Sequence, residues 1–318
     1  MRREAHHVEK VIRVVESGSD AARSPLAASW RRSMEHHGLD PANDKAPYLI
    51  ECSELARRRD ELGRLLAMAT PKLDELFALV GASGCGVLLT DATGIVLDLR
   101  CADADAATFR NWGLHPGADW SEAHEGTNGI GTCLAEKRRI TIHREDHFFA
   151  RNTALSCMDA PIFGADGHIL AALDVSSARV DETEGFNRLL SNTVSQYAQV
   201  IENCHFRSSF PNARIIMAGP DGIDATALLA VDGDDLVIGA TRTARRMFGL
   251  EPTGQIKPRP TVDLFGRDDG PTGFKKAERA AVVRALVRAD GNVSQAARML
   301  GIGRATLYRQ MRRLGIER

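Results

Sequence analysis

The chain has 318 residues, is 43% hydrophobic and is close to neutral, with 41 Lys and Arg against 42 Asp and Glu. That length leaves room for two or three domains with ordinary cores. No run of apolar residues approaches the roughly 20 needed to span a bilayer, and the polar start (His6, His7, Glu9, Lys10) lacks the apolar stretch of a secretion signal, so a cytoplasmic protein is expected.

In chain order, Ser24-Pro25 opens a short helix through Trp30 and Met34 that stops at Gly38. A longer helix follows Ser53, carrying Leu55, Leu62, Leu65, Leu66, Leu73, Leu76 and Phe77, and Pro71 is expected to bend or divide it. After Gly86 the period changes. Residues 87–91 read as a strand, Asp91-Ala92-Thr93-Gly94 as a turn and 95–99 as the return strand. A helical stretch carries Phe109 and Trp112. Strands are predicted at 139–143 and 159–163, and Gly164-Ala165-Asp166-Gly167 turns the chain into a further strand at 168–176. A helix from about Glu182 to Phe206 closes the unit. This order implies an antiparallel sheet with helices on its faces, an α+β layout.

Residues 228–232 and 236–240 read as a hairpin turning at Gly233-Asp234-Asp235, with a short helix over 243–250. Pro252, Pro258, Pro260, Gly266, Gly270, Pro271 and Gly273 mark a linker.

Positive charge gathers beyond this linker. Residues 275–318 hold eleven Lys and Arg against three acids, a charge of +8, which leaves −9 on everything before them. Such asymmetry fits a phosphate-backbone partner. Ala280, Val283, Leu286 and Val287 predict an amphipathic helix over 275–289, ended by Asp290-Gly291-Asn292. Ser294 reads as the cap of a second helix running to Leu300. Gly301 then supplies a sharp turn into a third helix, from about Arg304 to Leu314. Ala296, Leu300, Ile302, Leu307 and Met311 point inward. The outer face holds Arg304, Thr306, Tyr308, Arg309, Arg312 and Arg313, the residue types that reach base edges and phosphates from a helix in a major groove.

The run Gly291-Asn292-Val293-Ser294-Gln295-Ala296-Ala297-Arg298-Met299-Leu300-Gly301-Ile302-Gly303-Arg304-Ala305-Thr306-Leu307-Tyr308-Arg309 resembles the Fis-type helix-turn-helix of bacterial enhancer-binding activators. The resemblance implies a base-reading role for Arg304 and phosphate contacts at Thr306 and Arg309, with Ser294, Tyr308, Arg312 and Arg313 completing the DNA-binding set. Gly303 departs from the polar residue common in that family. Ser29-Trp30-Arg31-Arg32-Ser33, Gly38-Leu39-Asp40-Pro41, the run from Trp120 to Thr132 and Leu173-Asp174-Val175-Ser176 resemble acetoin-catabolism regulators, whose corresponding region is a GAF sensor domain. The middle segment resembles a truncated PAS-like unit, with Thr241 where that family often has Asn.

The resemblances imply four parts: an N-terminal helical segment (1–52), a GAF-like sensor (53–207), a PAS-like segment and linker (208–272), and an all-α Fis-type helix-turn-helix (273–318). Trp112, Trp120, His124 and Asn128 are candidate ligand-pocket residues, the alternative being core packing and loop capping. Gly126, Gly129 and Gly131 lack the context of a phosphate loop and read as a tight helix entry. His143, Glu145 and His147 invite a metal reading. The strand is expected to end near His143, however, and so not to align them; no metal or cofactor is expected. No Gly-x-x-x-x-Gly-Lys-Ser/Thr occurs, so the ATPase domain of enhancer-binding activators is not expected. The expected function is a non-enzymatic, ligand-responsive regulator of transcription. Its partners would be double-stranded DNA, a small-molecule effector, a second copy of the chain and RNA polymerase. Two alternatives stay open: a Fis-like architectural DNA binder with a non-sensing oligomerisation domain, and a GAF-type thiol enzyme using Cys133.

Overall fold

The structure is a computed structural model and describes residues 2–17, 24–177, 183–219, 226–265 and 273–316. The predicted helix start at Glu182 and the linker residues Gly266, Gly270 and Pro271 lie outside the described residues. The chain divides into two compact units, residues 1–259 and 260–318.

The first unit begins with helices α1 (Arg2–Glu16) and α2 (Pro25–Arg31), followed by α3 (Cys52–Glu61) and α4 (Gly63–Val80). Helix α1 was not predicted. His7, Val11 and Val15, spaced at four, bury one of its faces, and the two valines pack with Trp30, Phe148 and Phe149. The predicted long helix divides at Leu62, not at Pro71, which sits inside α4. Gly63, a poor helix former, marks the break.

Strands β1 (Cys85–Asp91), β2 (Val96–Arg100), β3 (Ile140–His143), β4 (Ser156–Phe163) and β5 (Ile169–Ser177) form one sheet in the order β2-β1-β5-β4-β3, antiparallel throughout. Between β2 and β3 lie α5 (Ala106–Asn111), α6 (Glu122–Glu125) and α7 (Gly129–Glu136); α8 (Glu184–Ser209) follows β5, with Thr183 as its cap. The two-residue alternation of a strand decides which side chains face which helices. Val87, Leu89, Met158, Ala160, Ile162, Leu173 and Val175 turn to α4 and α8 and make the main core with Leu73, Leu76, Leu190 and Val194. The alternate residues Leu88, Cys157 and Ala172 turn to the other face, with Phe109, Trp120, Ile130 and Cys133.

A second antiparallel sheet contains β6 (Arg214–Met217), β7 (Leu228–Val231) and β8 (Leu236–Ala240), with a short edge strand β9 (Arg259–Pro260); β6 and β9 were not predicted. Helix α9 (Arg242–Met247) starts from Thr241, whose hydroxyl donates to the Thr226 carbonyl and accepts from the Leu228 N–H. The fully buried Arg245 donates to the carbonyls of Ala240, Glu251, Gly254 and Ala165. Ala165 belongs to the β4–β5 turn, so one guanidinium ties this segment to the β4–β5 hairpin. The stretch read as linker is thus partly folded.

The second unit holds α10 (Thr261–Phe265), α11 (Phe274–Arg288), α12 (Val293–Met299) and α13 (Arg304–Arg313). Its core joins Val282, Ala285, Ala289, Val293, Ala296, Ala297, Leu307 and Met311. The inward face of α11 therefore runs through Val282, Ala285 and Ala289, and Val287, read as inward, is 71% exposed. Asn292, not Ser294, caps α12; its side-chain oxygen accepts from the N–H groups of Ser294 and Gln295.

Candidate DNA-binding helix pair and buried carboxylate clamp

In the second unit, α12 and α13 are joined by Leu300-Gly301-Ile302-Gly303. Gly301 has φ +66°, a left-handed conformation that glycine adopts without a Cβ clash. The Ile302 N–H returns to the Ala297 carbonyl at 3.0 Å, closing the turn. The small side chains of Ala296 and Ala297 are buried where α12 meets α13, and Leu307 and Met311 pin the underside of α13.

That pinning fixes which side chains face solvent. Arg304, Arg309, Arg312 and Arg313 are exposed; Thr306, Tyr308 and Ser294 are half-buried. The Arg304 guanidinium lies 5.7 Å from the Tyr308 ring centroid, and Arg309 donates to the Thr306 hydroxyl at 3.4 Å. Arg313 is engaged differently, by an ion pair with Glu278 of α11. Arg304 and Arg312 have no carboxylate partner among the described residues. The face is therefore a set of long cationic arms on a rigid helix, open to an anionic partner.

In the first unit, the two sequence runs that carry the sensor resemblance meet. Glu122, 5% exposed, accepts from the Ser29 hydroxyl and from both Nε and Nη2 of Arg32. Thr132 donates to the same carboxylate at 3.4 Å, and Ser29 and Ser33 reach the Thr127 hydroxyl at 2.8 and 3.2 Å. Trp30 Nε1 donates to the Asp146 carbonyl at 2.8 Å. The Arg32 guanidinium, held by Glu122, stays firmly protonated. A second buried carboxylate, Glu125, accepts two 2.7 Å bonds from Arg151. The motif residues thus clamp α2 onto the α6–α7 corner.

The glycines of that corner permit close approach. A Cβ on Gly131 would stand 2.4 Å from the Glu122 backbone nitrogen, and one on Gly129 would stand 2.0 Å from an Asp159 carboxylate oxygen. Asn128 caps α7, accepting from the Gly131 N–H at 2.8 Å while its amide donates to the Gly126 carbonyl. Trp120 is 1% exposed and donates to the Gly113 carbonyl. Trp112 is half-buried against Phe109, with ring centroids 5.8 Å apart, and His124 is exposed, beside Asp119 and stacked on Tyr48. Of Trp112, Trp120, His124 and Asn128, the two tryptophans share one apolar cluster with Phe109 and Ile130, Asn128 caps α7 and His124 is exposed. A cavity of about 290 Å³ does lie beside the clamp, lined by Arg32, His36, His37, Ser121, Glu122 and neighbouring residues.

His143, Glu145 and His147 diverge. Strand β3 ends at His143, whose Nδ1 meets the Ser156 hydroxyl at 2.8 Å, and Glu145 pairs with Lys10. His147 is fully buried; its Nδ1 donates to the Arg144 carbonyl, and burial lowers its pKa to about 4, so the ring is neutral. No group of three His, Cys, Asp or Glu side chains suited to a metal ion occurs among the described residues. Burial also pushes the Cys133 thiol well above its ordinary range, away from the reactive thiolate.

Sequence reading missed a buried acid pair. Asp159 of β4 and Asp174 of β5 are register partners on the face beneath α7, both fully buried. Asp174 accepts from the Ser176 hydroxyl at 2.7 Å, and the Cys157 sulfur lies 3.2 Å from that hydroxyl and 3.5 Å from His147 Nε2. Burial raises both carboxyls, Asp174 to about 7, and the Asp174 charge raises Asp159 further. The alternation of two in β4 and β5 was the available signal: it places Asp159 and Asp174 inward, where a carboxylate is unexpected.

A carboxyl whose pKa is higher in the folded than in the unfolded state keeps its proton longer when folded. The stability it permits is fully present in acid and is lost as pH rises from about 4 toward 7. Asp159→Asn, which keeps the shape and a hydrogen-bond donor for Asp174, is therefore expected to raise the thermal midpoint at pH 8 and to change it little at pH 4. Melting curves across that range check this; an equal shift at both ends would contradict it.

Comparison with known proteins agrees with these two regions. The family described as "GAF domain" matches residues 64–204, and "Bacterial regulatory protein, Fis family" matches residues 274–314. The acetoin catabolism regulatory protein of Cupriavidus necator is 29% identical over 277 residues, covering 83% of this chain and 41% of that protein. The acetoin dehydrogenase operon transcriptional activator AcoR of Bacillus subtilis is 28% identical over 154 residues, 48% of this chain and 25% of that protein. The chain therefore spans less than half the length of these relatives. In the crystal structure of the E. coli DhaR(N)–DhaL complex, a chain with 14% identity aligns with a TM-score of 0.54, covering 76% of this chain and 81% of that one, which supports the fold. The chain thus carries a GAF domain over residues 64–204 and a helix-turn-helix of the Fis family of bacterial regulatory proteins over residues 274–314.

Proposed function

We propose that the chain is a ligand-responsive transcriptional regulator that binds specific double-stranded DNA through α13 and acts without hydrolysing ATP. The observation that carries this reading is the outer face of α13, where Arg304, Arg309 and Arg312 are exposed while Leu307 and Met311 lock the opposite face. A single helix-turn-helix gives modest affinity, so the working unit is a homodimer reading two half-sites about one helical turn apart. Residues 1–52, 53–207, 208–272 and 273–318 serve as N-terminal segment, sensor, connector and DNA-binding part, in the cytoplasm, with RNA polymerase as the downstream partner. The lack of a nucleotide-binding loop in the sequence supports a mechanism without ATP.

The effector site lies in the sensor, beside the Glu122 clamp, where the cavity of about 290 Å³ offers a largely apolar wall with a few polar groups to a small molecule. Two relatives are named for acetoin, so acetoin is the first effector to test. Binding there would shift the relative populations of sensor states and, through them, the placement of the paired DNA-binding ends. Footprints of the full chain on the DNA flanking its own gene, with and without acetoin at concentrations shown to bind, test this. A changed footprint supports the reading; an unchanged one, despite measured binding, counts against it and favours the architectural alternative.

A further inference from the structure

A second concave site lies in the first unit, linked to the Glu122 clamp by the Arg32–Glu136 ion pair. It is a groove of about 430 Å³ where the end of α7, the strand β4 and the helices α8 and α9 meet. Five cations line it: Lys137, Arg138, Arg139, Arg242 and Arg246. Two carboxylates face them, and both are already committed. Glu136 is engaged by Arg32 at 3.2 Å and by Arg138 at 3.7 Å. Glu202, 5% exposed, accepts from the Phe163 N–H at 3.0 Å and from Gln199 at 3.4 Å, and burial raises its pKa to about 7, which weakens its negative charge near neutrality. The cations are thus under-compensated.

Their placement is specific. Lys137 caps α7 with φ +52°, a left-handed turn that ends the helix. The Arg242 guanidinium stacks on the Phe163 ring at 3.9 Å and donates to the Lys137 carbonyl at 3.2 Å, which fixes the start of α9 against the end of α7. Arg139 is steadied by Asn192 at 2.6 Å. Neither Lys137 nor Arg246 has an ion pair among the described residues, and both are exposed. Partial burial and then the repulsion of Arg246 depress Arg242, and Glu202 offsets them only in part.

We propose that this groove binds a small polyanionic metabolite, of the phosphate-ester or polycarboxylate class, between the sensor and the segment that carries α9. Cations from two separate elements converge on one concavity beside the apolar Pro161 and Phe163, the mix of polar anchors and apolar wall that holds small molecules. A duplex backbone would instead need cations spread over an open surface. An anion seated here joins the end of α7 to α9, giving the protein a second input at a site distinct from the clamp cavity.

Calorimetric titration of the full chain with inorganic pyrophosphate and with citrate, at constant ionic strength and in the absence of DNA, tests the proposal. Saturable binding is expected for at least one of them. It should weaken ten-fold or more in Lys137→Gln/Arg246→Gln, both surface positions, and persist in Arg304→Ala, which excludes the helix-turn-helix as the binding place. Absence of saturable binding by both probes, or binding indifferent to the double substitution, overturns the proposal. So does a double variant that loses affinity for every duplex while neither probe binds, since the groove would then be a DNA-backbone contact.

Discussion

Glu122→Ala is expected to destabilise the first unit by about 3 kcal/mol, because removing one partner of a buried ion pair strands the other. Glu122 is the common acceptor for Ser29, Arg32 and Thr132, and Arg32 remains two-thirds buried beside it. The substitution leaves that guanidinium with the partly exposed Glu136 alone and frees two buried hydroxyls. The exposed share of Arg32 keeps the loss below the upper end of what a wholly buried pair shows. Glu122→Gln preserves the shape and one acceptor and should cost about half as much. Urea unfolding followed by tryptophan fluorescence reads both, Trp30 and Trp120 being buried and close in sequence to Ser29 and Glu122. A loss under about 0.5 kcal/mol for Glu122→Ala would place the clamp among surface pairs of little consequence.

Arg304→Ala is expected to weaken specific DNA binding by about 1–3 kcal/mol and to relax the preference at one base position. Arg304 stands in the first turn of α13, the part of a recognition helix that reaches base edges. Arg312→Ala, two turns later, should weaken binding to all sequences alike and reduce the salt slope by about one. Arg313→Ala should do less, since its guanidinium is paired with Glu278 before DNA arrives. Gel-shift titrations over a range of salt separate the three. Equal effects from Arg304 and Arg312 on specific and random duplexes would remove the distinction between reading and gripping.

What was legible in the sequence was local. Gly94 and the Asp166-Gly167 pair announced hairpins because few other residues take those turns, and both hairpins stand in the fold. Gly301 with Leu307 and Met311 announced the helix-turn-helix for the same reason: a turn needing a left-handed residue, followed by an apolar stripe at helical spacing. What was not legible depends on distant partners. Ser29 and Glu122 are 93 residues apart, and nothing in either run says that they touch. The Asp159–Asp174 pair needs the register of β4 against β5, which no single strand reveals. Trp120 and Asn128 look like pocket residues in a motif, yet a Trp Nε1 aimed at a carbonyl and an Asn at a helix start serve the fold equally well. Val287 misled because α11 has apolar residues on more than one face, and only packing against α12 and α13 selects Val282 and Ala285.

The central claim is that the arginine face of α13 reads DNA sequence. Selection of bound duplexes from a random-sequence pool by the full chain, repeated with Arg304→Ala, tests it most directly. The account predicts enrichment of an inverted repeat with half-sites about one helical turn apart, and loss of preference at one position per half-site in the variant. No enriched sequence, or the same sequence enriched equally by both proteins, would contradict it.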